Sequence, residues 1–124
     1  MNKQKFNRII NDLNEYKGVE EAFLLNPEGE VVFKSSEFPL TDEESKAILK
    51  AWKEGESSLM FQKNRFAILK NDEIQLAAKN IANGKGNIAG SITKEGDYLV
   101  IHTIENSGMI LLEWSIFVNK IAWS

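Results

Sequence analysis

The chain has 124 residues, no cysteine, one histidine and a net charge of −3, and 43 % of its residues are hydrophobic. This length predicts a single domain, residues 1–124, with a core large enough to fold without cross-links. The missing cysteines exclude disulfides and thiolate metal sites and favour a reducing, cytoplasmic location. The negative charge provides no general attraction for nucleic acid, and no apolar signal-peptide segment follows the polar N-terminus.

The first elements of the chain follow two clear hydrophobic periods. Apolar residues at three- and four-residue spacing over 6–16 predict an amphipathic helix that ends at Gly18. Residues 19–25 and 30–35 then predict the two strands of a hairpin. The Asn-Pro-Glu-Gly segment 26–29 has the residues of the turn between them.

The middle of the chain predicts a second helix and a series of strands. Thr41 and Glu44 have the spacing of a capping box, so we expect a helix from there to about Gly55. Turn residues then separate short apolar runs, which indicates antiparallel hairpins. The predicted strands of this part cover residues 58–62, 66–69, 74–78, 88–93 and 98–104.

The last predicted strand and the last predicted helix are apolar on more than one side. Both alternating sets of residues 98–104 are largely apolar, so both faces of the sheet should be covered. A final helix from about Ser107 carries apolar residues in several rows and should pack on the sheet and beside the first helix. The sequence therefore predicts an α+β domain. It has a six- or seven-stranded antiparallel sheet, with the two terminal helices on one face and the middle helix on the other.

Few residues suggest catalysis. His102 lies inside a predicted strand, where a partly buried structural role is expected. The acidic run 42–44 fits the first turn of a helix, where carboxylates complement the macrodipole. The Asn-Gly-Lys-Gly segment 83–86 lacks the spacing of a phosphate-binding loop and lies between two strands. We therefore predict no enzyme activity, no metal and no cofactor.

One region has the composition of a protein interface. The apolar run 59–61 must place at least one side chain on the opposite face of its strand from its neighbours. Apolar residues rimmed by cations suit an acidic partner, although solvated charges at a sheet edge would give the same pattern. The flanking cations are Lys63, Arg65, Lys70 and Lys79.

Four stretches of the chain resemble the profilin family. Residues 29–44 resemble the passage from hairpin to helix, with a Gly-x-Val strand, Ser-Ser, Phe-Pro and an acidic helix start. Residues 66–79 and 87–104 are similar to the later profilin hairpins, and residues 6–13 are similar to the opening helix. The resemblance spans the chain and implies a profilin-like fold and the regulation of actin polymerisation by binding actin monomers, as a monomer itself.

The resemblance also implies which residues bind actin. They come from the later strands and the start of the final helix, so they include the apolar and cationic region described above. Carried over by position, the implied residues are Met60, Phe61, Arg65, Ile68, Lys70, Lys79, Gly108, Met109, Leu111 and Leu112.

Two further traits of the family look weakened in this sequence. Polyproline, as a preformed extended helix, docks on flat aromatic rings, yet few aromatics remain at the corresponding positions. This loss resembles the divergent profilins of archaea. The implied polyproline positions are Phe6, Ile9, Val32 and Trp123, and a thin basic cluster for phosphoinositides would comprise Lys3, Lys5 and Arg8.

Two other interpretations share the predicted order of elements. A roadblock-type scaffold for a small GTPase would have five strands and would form a dimer through residues 41–55, with Ala47, Ala51 and Trp52 at its centre. A sensory ligand-binding domain would need an internal polar pocket, which the sequence does not indicate. The number of strands separates the first alternative from a profilin.

Overall fold

The computed structural model describes residues 1–124, which form three α-helices and seven β-strands. The predicted α+β class and the seven-stranded option are confirmed, whereas the five strands of the roadblock-type alternative are not found. In chain order the elements are α1 (Lys3–Leu13), β1 (Val19–Leu25), β2 (Val31–Lys34), α2 (Asp42–Lys53), β3 (Ser58–Phe61), β4 (Asn64–Asn71), β5 (Gln75–Lys79), β6 (Asn87–Ile92), β7 (Tyr98–Thr103) and α3 (Leu111–Ala122).

All strands belong to one antiparallel sheet in the order β2-β1-β7-β6-β5-β4-β3. Strands β3 to β7 are each paired with their neighbour in the sequence, so they need only short connections. The exception is the pairing of β1 with β7, in which Ala22 lies opposite Ile101. This pairing joins the N-terminal hairpin to the rest of the sheet and leaves β2 and β3 as its two edges.

One face of the sheet packs against α2. Ile48 and Trp52 of α2 are 1 % and 3 % exposed. They belong to a core that also contains Phe23 of β1, Phe61 of β3 and Val100 of β7. The indole Nε1 of Trp52 donates to the carbonyl of Asp72 at 2.9 Å, so the polar atom of this large side chain is also satisfied.

The opposite face packs against the two terminal helices. Phe6 and Ile9 of α1 and Trp114 of α3 are fully buried with Leu99 and Ile101 of β7. Leu99 and Ile101 alternate with Val100, which lies in the other core, so the two cores are on opposite faces of one strand. The predicted placement of the terminal helices on one face and α2 on the other is confirmed.

Side chains cap the first two helices. The predicted cap at Thr41 is present, because its Oγ1 accepts a hydrogen bond from the Glu44 amide at 3.1 Å. Asn2 caps α1 in the same way, with its Oδ1 accepting from the Lys5 amide at 2.8 Å. No helix of the chain combines the length and apolarity needed to cross a bilayer.

Two predicted helix boundaries are wrong. The first helix ends at Leu13, because the chain turns over residues 14–18 before β1 begins. The last helix begins at Leu111 and not near Ser107, because Asn106 (φ 57°) and Gly108 (φ 93°) have left-handed backbone conformations that no α-helix contains. The residues between β7 and α3 therefore form a loop with a defined shape.

Candidate functional site

Part of the sheet's α3 side is open to solvent at strands β3 and β4. Helix α3 lies over β5, β6 and β7 and does not extend across β4 and β3, which end the sheet on this side. Met60 of β3 is paired with Arg65 of β4, and Ala67 is paired with Lys79 of β5. Because residues two apart on a strand share a face, Met60, Arg65 and Lys79 lie on the same side of the sheet. Met60 is 55 % exposed, so this side carries an accessible apolar side chain beside two cations.

Lys70 joins this side through an irregularity in β4. The pairing register shifts between Ile68 and Lys70, so that Lys70 lies opposite Ala77. Its Nζ donates to Gln75 Oε1 at 3.1 Å, and Gln75 Nε2 donates in turn to the Ser115 carbonyl of α3 at 3.4 Å. Lys70 is thus held on the α3 side of the sheet.

The loop before α3 is fixed by the buried tryptophan of that helix. Trp114 Nε1 donates to Ser107 Oγ at 3.0 Å, which ties the loop to the core. The Ile110 amide donates to Glu113 Oε1 at 3.0 Å and so closes the first turn of the helix. These bonds hold Gly108 to Leu112 next to β5, and Leu112 is 55 % exposed.

An ion pair and a cleft connect the strands to this loop. Lys79 Nζ donates to Glu105 Oε1 at 2.8 Å across the space between β5 and the end of β7. A cleft of about 320 Å³ lies beside this pair and is lined in part by Met109 and Leu111. We name the resulting surface the strand–helix face, and it comprises Met60, Arg65, Lys70, Lys79, Gly108, Met109, Leu111 and Leu112.

Two predicted members of the actin-binding set do not lie on this face. Phe61 is 1 % exposed and stacks on Phe23 with ring centroids 5.7 Å apart, in the core beneath α2. Ile68 packs against the same core. Strand alternation directs these side chains away from Met60 and Arg65 and towards the other side of the sheet, so we leave them out of the proposed binding surface.

The structure also exposes apolar residues that the sequence analysis did not select. Leu69 is 61 % exposed because the irregularity in β4 leaves it unpaired. Ile116 is 58 % exposed and lies one turn after Leu112 on α3. The four-residue spacing from Leu112 could have identified Ile116, whereas nothing in the sequence marks the irregularity at Leu69.

The predicted polyproline positions on the first helix are not accessible to solvent. Phe6 and Ile9 are fully buried between α1 and the sheet, so no ligand can stack on them. The other two positions are accessible, with Val32 40 % exposed on β2 and Trp123 48 % exposed after α3. These two lie on different elements and do not form a continuous aromatic floor.

A shallow groove between the two terminal helices contains a different aromatic pair. Tyr16 follows α1 and Phe117 lies on α3, and their ring centroids are 4.4 Å apart. Tyr16 is 45 % exposed. The groove measures about 290 Å³ and is lined by Asp12, Glu15, Tyr16, Phe117, Lys120, Ile121 and Ser124. The sequence analysis missed this pair because its members are about a hundred residues apart.

The predicted basic cluster at the N-terminus is partly neutralised. Lys5 Nζ lies 2.5 Å from Glu95 Oε2, and this hydrogen bond lowers the pKa of the Glu95 carboxyl. Lys3 lies over the ring of Phe33, with its Nζ 4.9 Å from the ring centroid. Arg8 is exposed and has no ion-pair partner. Only two of the three predicted cations are therefore free of a carboxylate partner.

His102 has the partly buried, structural position that was predicted. Its Nδ1 lies 3.1 Å from Glu21 Oε2, and its Nε2 lies 2.6 Å from the Lys85 carbonyl. Both ring nitrogens are thus engaged within the protein. No group of three or more His, Asp or Glu side chains is placed to hold a metal ion. The segment 83–86 connects β5 to β6, as predicted.

Comparison with known proteins yields one relative of high identity. Loki profilin-3 from Lokiarchaeum sp. is 64 % identical over 124 residues, which cover both chains completely. No family model matches the chain.

Solved structures show the same fold at low sequence identity. LokiProfilin2, in a complex with rabbit actin, superposes with a TM-score of 0.80 at 20 % identity and covers 98 % of this chain and 95 % of its own. LokiProfilin1, also in a complex with rabbit actin, gives 0.79 at 18 % identity, with 98 % and 93 % covered. Profilin IA of Acanthamoeba castellanii gives 0.65 at 17 % identity, with 84 % and 82 % covered. With the full-length identity to Loki profilin-3, these matches establish that the chain belongs to the profilin family.

Proposed function

We propose that this protein binds monomeric actin through the strand–helix face and thereby regulates actin polymerisation. The observation that carries the proposal is the face itself, where exposed apolar side chains such as Met60 and Leu112 adjoin the cations Arg65 and Lys70. Two structural relatives, LokiProfilin1 and LokiProfilin2, occur in complexes with rabbit actin. The proposed binding residues are the eight of this face, and Phe61 and Ile68, which were also expected from the sequence, are not among them.

The chemistry of the face suits a stable but reversible complex. Burial of Met60 and Leu112, with Ile116 one turn further along α3, would provide the apolar centre of an interface. The cations at its rim would speed up association with an acidic partner and set the orientation of binding. A monomer covered on one side can add to a filament only through its other end, so binding energy alone would regulate polymerisation.

We infer that the protein is not an enzyme. Both nitrogens of His102, the single histidine, have partners within the fold. His102 is therefore not available as the general base of a catalytic nucleophile–base pair. Profilin relatives such as Loki profilin-3 share the fold and the family, and a binding role accounts for the exposed features of the molecule.

We further propose that polyproline binding is weak or absent and that phosphoinositide binding is weak. The groove between the terminal helices offers Tyr16 and Phe117 in place of a broad aromatic floor. Lys3 and Arg8 remain for a lipid headgroup, since Lys5 is paired with Glu95. The proposed location is the cytoplasm, in association with the actin cytoskeleton, and the proposed state is a monomer of one domain.

Polymerisation of pyrene-labelled actin tests this function. The purified protein should slow spontaneous nucleation in proportion to its concentration, with rabbit actin and with an archaeal actin from the same source. Unchanged polymerisation with both actins would contradict the proposal. Sedimentation equilibrium at the same concentrations should give the mass of one chain.

A further inference from the structure

The cleft in the strand–helix face contains acceptor oxygens that have no donor. Glu105 Oε1 accepts from Lys79 Nζ at 2.8 Å, but Glu105 Oε2 is buried and has no hydrogen-bond partner. Asn87 is 4 % exposed, and its Oδ1 also has no partner, although its Nδ2 donates to Thr103 Oγ1 at 3.3 Å. Glu105 and Asn87 both line the cleft.

Such atoms are unusual in a folded protein. More than nine in ten buried polar groups have a hydrogen-bond partner, because an unpaired one has lost its water without compensation. An ionised carboxylate only accepts hydrogen bonds, so the Glu105 carboxylate needs a donor group for its second oxygen. A ligand that brings N–H groups to this cleft would therefore satisfy Glu105 Oε2.

We propose that this cleft receives a basic side chain of the bound actin, and that an arginine guanidinium fits it best. This inference rests on the proposed function. Met109 and Leu111 provide apolar surface for the aliphatic stem of such a side chain. The guanidinium presents several N–H groups in a fixed plane and can bond to Glu105 and Asn87 together, whereas an ammonium is a point donor. The terminal torsion of Glu105 is soft, so its second oxygen can turn towards the arriving donor.

The ion pair with Lys79 does not already fill this role. Lys79 bonds to Oε1 only and is itself partly exposed, with a side-chain accessibility of 39 %. The pair therefore presents a positive and a negative group side by side on the face. A partner that matches it must carry an acidic group opposite Lys79 and a basic group opposite Glu105. The adjacent opposite charges would disfavour a partner with a uniformly acidic surface, because Glu105 would repel it. They would also fix the orientation of the complex.

The first test measures actin affinity after the charge is removed without a change in shape. Glu105→Gln should weaken binding to rabbit actin about 30-fold, the lower end of the range for loss of one partner of a desolvated charge pair. Glu28→Gln is the matched control, since Glu28 is exposed in the turn between β1 and β2 and should leave the affinity unchanged. Equal affinities for the two variants would overturn the proposal. Tighter binding by Glu105→Gln would also overturn it, because Lys79 alone would then be the group that actin recognises.

The second test needs no actin and uses N-acetylarginine amide as the probe. Added at millimolar concentration to the isotope-labelled protein, it should shift the NMR signals of the Asn87 side-chain amide and of the Glu105 and Met109 backbone. The same titration of Glu105→Gln should leave these signals in place, while unchanged remaining signals show that the variant is folded. Shifts spread evenly over the surface, or equal in both proteins, would contradict the cleft assignment. If wild-type protein fails to bind actin, the proposed function is wrong, and this titration still decides whether the cleft takes a guanidinium.

Discussion

The strand–helix face and the groove between the terminal helices are built from similar residue types but differ in what covers them. On the face, Met60 and Leu112 are each 55 % exposed. Between the terminal helices and the sheet, Phe6 and Trp114 are completely buried. The aromatic residues of the terminal helices are covered by the sheet on which these helices pack. Strands β3 and β4, in contrast, are not covered by α3. The position of a helix edge over the sheet thus decides which apolar residues remain free to bind.

Each region contains cations without a carboxylate partner and one cation that is bound to a carboxylate, Lys79 on the face and Lys5 on α1. Arg65 and Lys70 on the face are exposed and have no carboxylate partner. On α1, Lys5 is bound to Glu95. Arg65 adjoins the accessible side chain of Met60, which suits the recognition of a partner, while the pair of Lys5 and Glu95 mainly stabilises the fold. The comparison therefore supports the proposal that a partner binds the strand–helix face and that the terminal helices have a mainly structural role.

The largest effect is expected for Phe61→Ala, and on folding. Phe61 is 1 % exposed and packs against Phe23 and Phe66, so its removal should lower the free energy of unfolding by about 3–5 kcal/mol. Urea denaturation measures this value. Met60→Ala, at the exposed neighbouring position, should cost less than about 1 kcal/mol. A stable Phe61→Ala protein that no longer binds actin would instead place Phe61 in the interface.

The next largest effect is expected for Met60→Glu, on binding. A carboxylate in the apolar centre of the face should weaken actin binding by about 30-fold, which corresponds to about 2 kcal/mol. Tyr16→Glu introduces the same charge at an exposed aromatic of the groove and should leave the affinity unchanged. Isothermal titration with monomeric actin gives both constants. The reverse pattern would transfer the binding site to the terminal helices.

A smaller effect is expected for Arg65→Gln. Loss of an exposed cation at the rim of the interface should weaken binding by about 5-fold, mainly through slower association. Stopped-flow measurements at low and high salt should show the difference shrinking as salt screens the charge. Lys17→Gln, which removes an exposed cation near α1, should not alter the association rate. Equal slowing by both variants would indicate a general charge effect with no role for the face.

The smallest effect is expected at the ion pair on α1. The hydrogen bond from Lys5 lowers the pKa of Glu95 from its ordinary value of 4.5, so ionised Glu95 stabilises the folded chain. This stabilisation is complete above the ordinary pKa and is lost as the pH falls through the lowered value. Because the pair is partly exposed, Glu95→Gln should reduce stability by about 0.5 kcal/mol near neutral pH. Urea denaturation of the wild-type protein and Glu95→Gln at about pH 2 should show that this difference in the free energy of unfolding falls towards zero. A difference as large as at neutral pH would contradict the role of the ion pair.

The sequence predicted the architecture well because strong periodic patterns determine it. The period-2 run of β7 and the cap at Thr41 correctly indicated a sheet covered on both faces and the start of α2. The site was harder to predict, since the run 59–61 is apolar throughout and does not reveal which residue faces the core. The irregularity at Leu69 shifts the alternation of β4 in a way that local composition does not encode. Residues that meet only in three dimensions, such as Tyr16 and Phe117, also could not be found.

Amide hydrogen exchange with and without rabbit actin tests the central claim most directly, because it reports on both regions of one molecule. We predict that actin slows exchange in β3, β4 and β5 and in residues 105–112. Exchange in α1 and in the C-terminal half of α3 should remain as in the free protein. Protection confined to residues 6–16 and 117–123, or no protection anywhere at saturating actin, would contradict the assignment of actin binding to the strand–helix face.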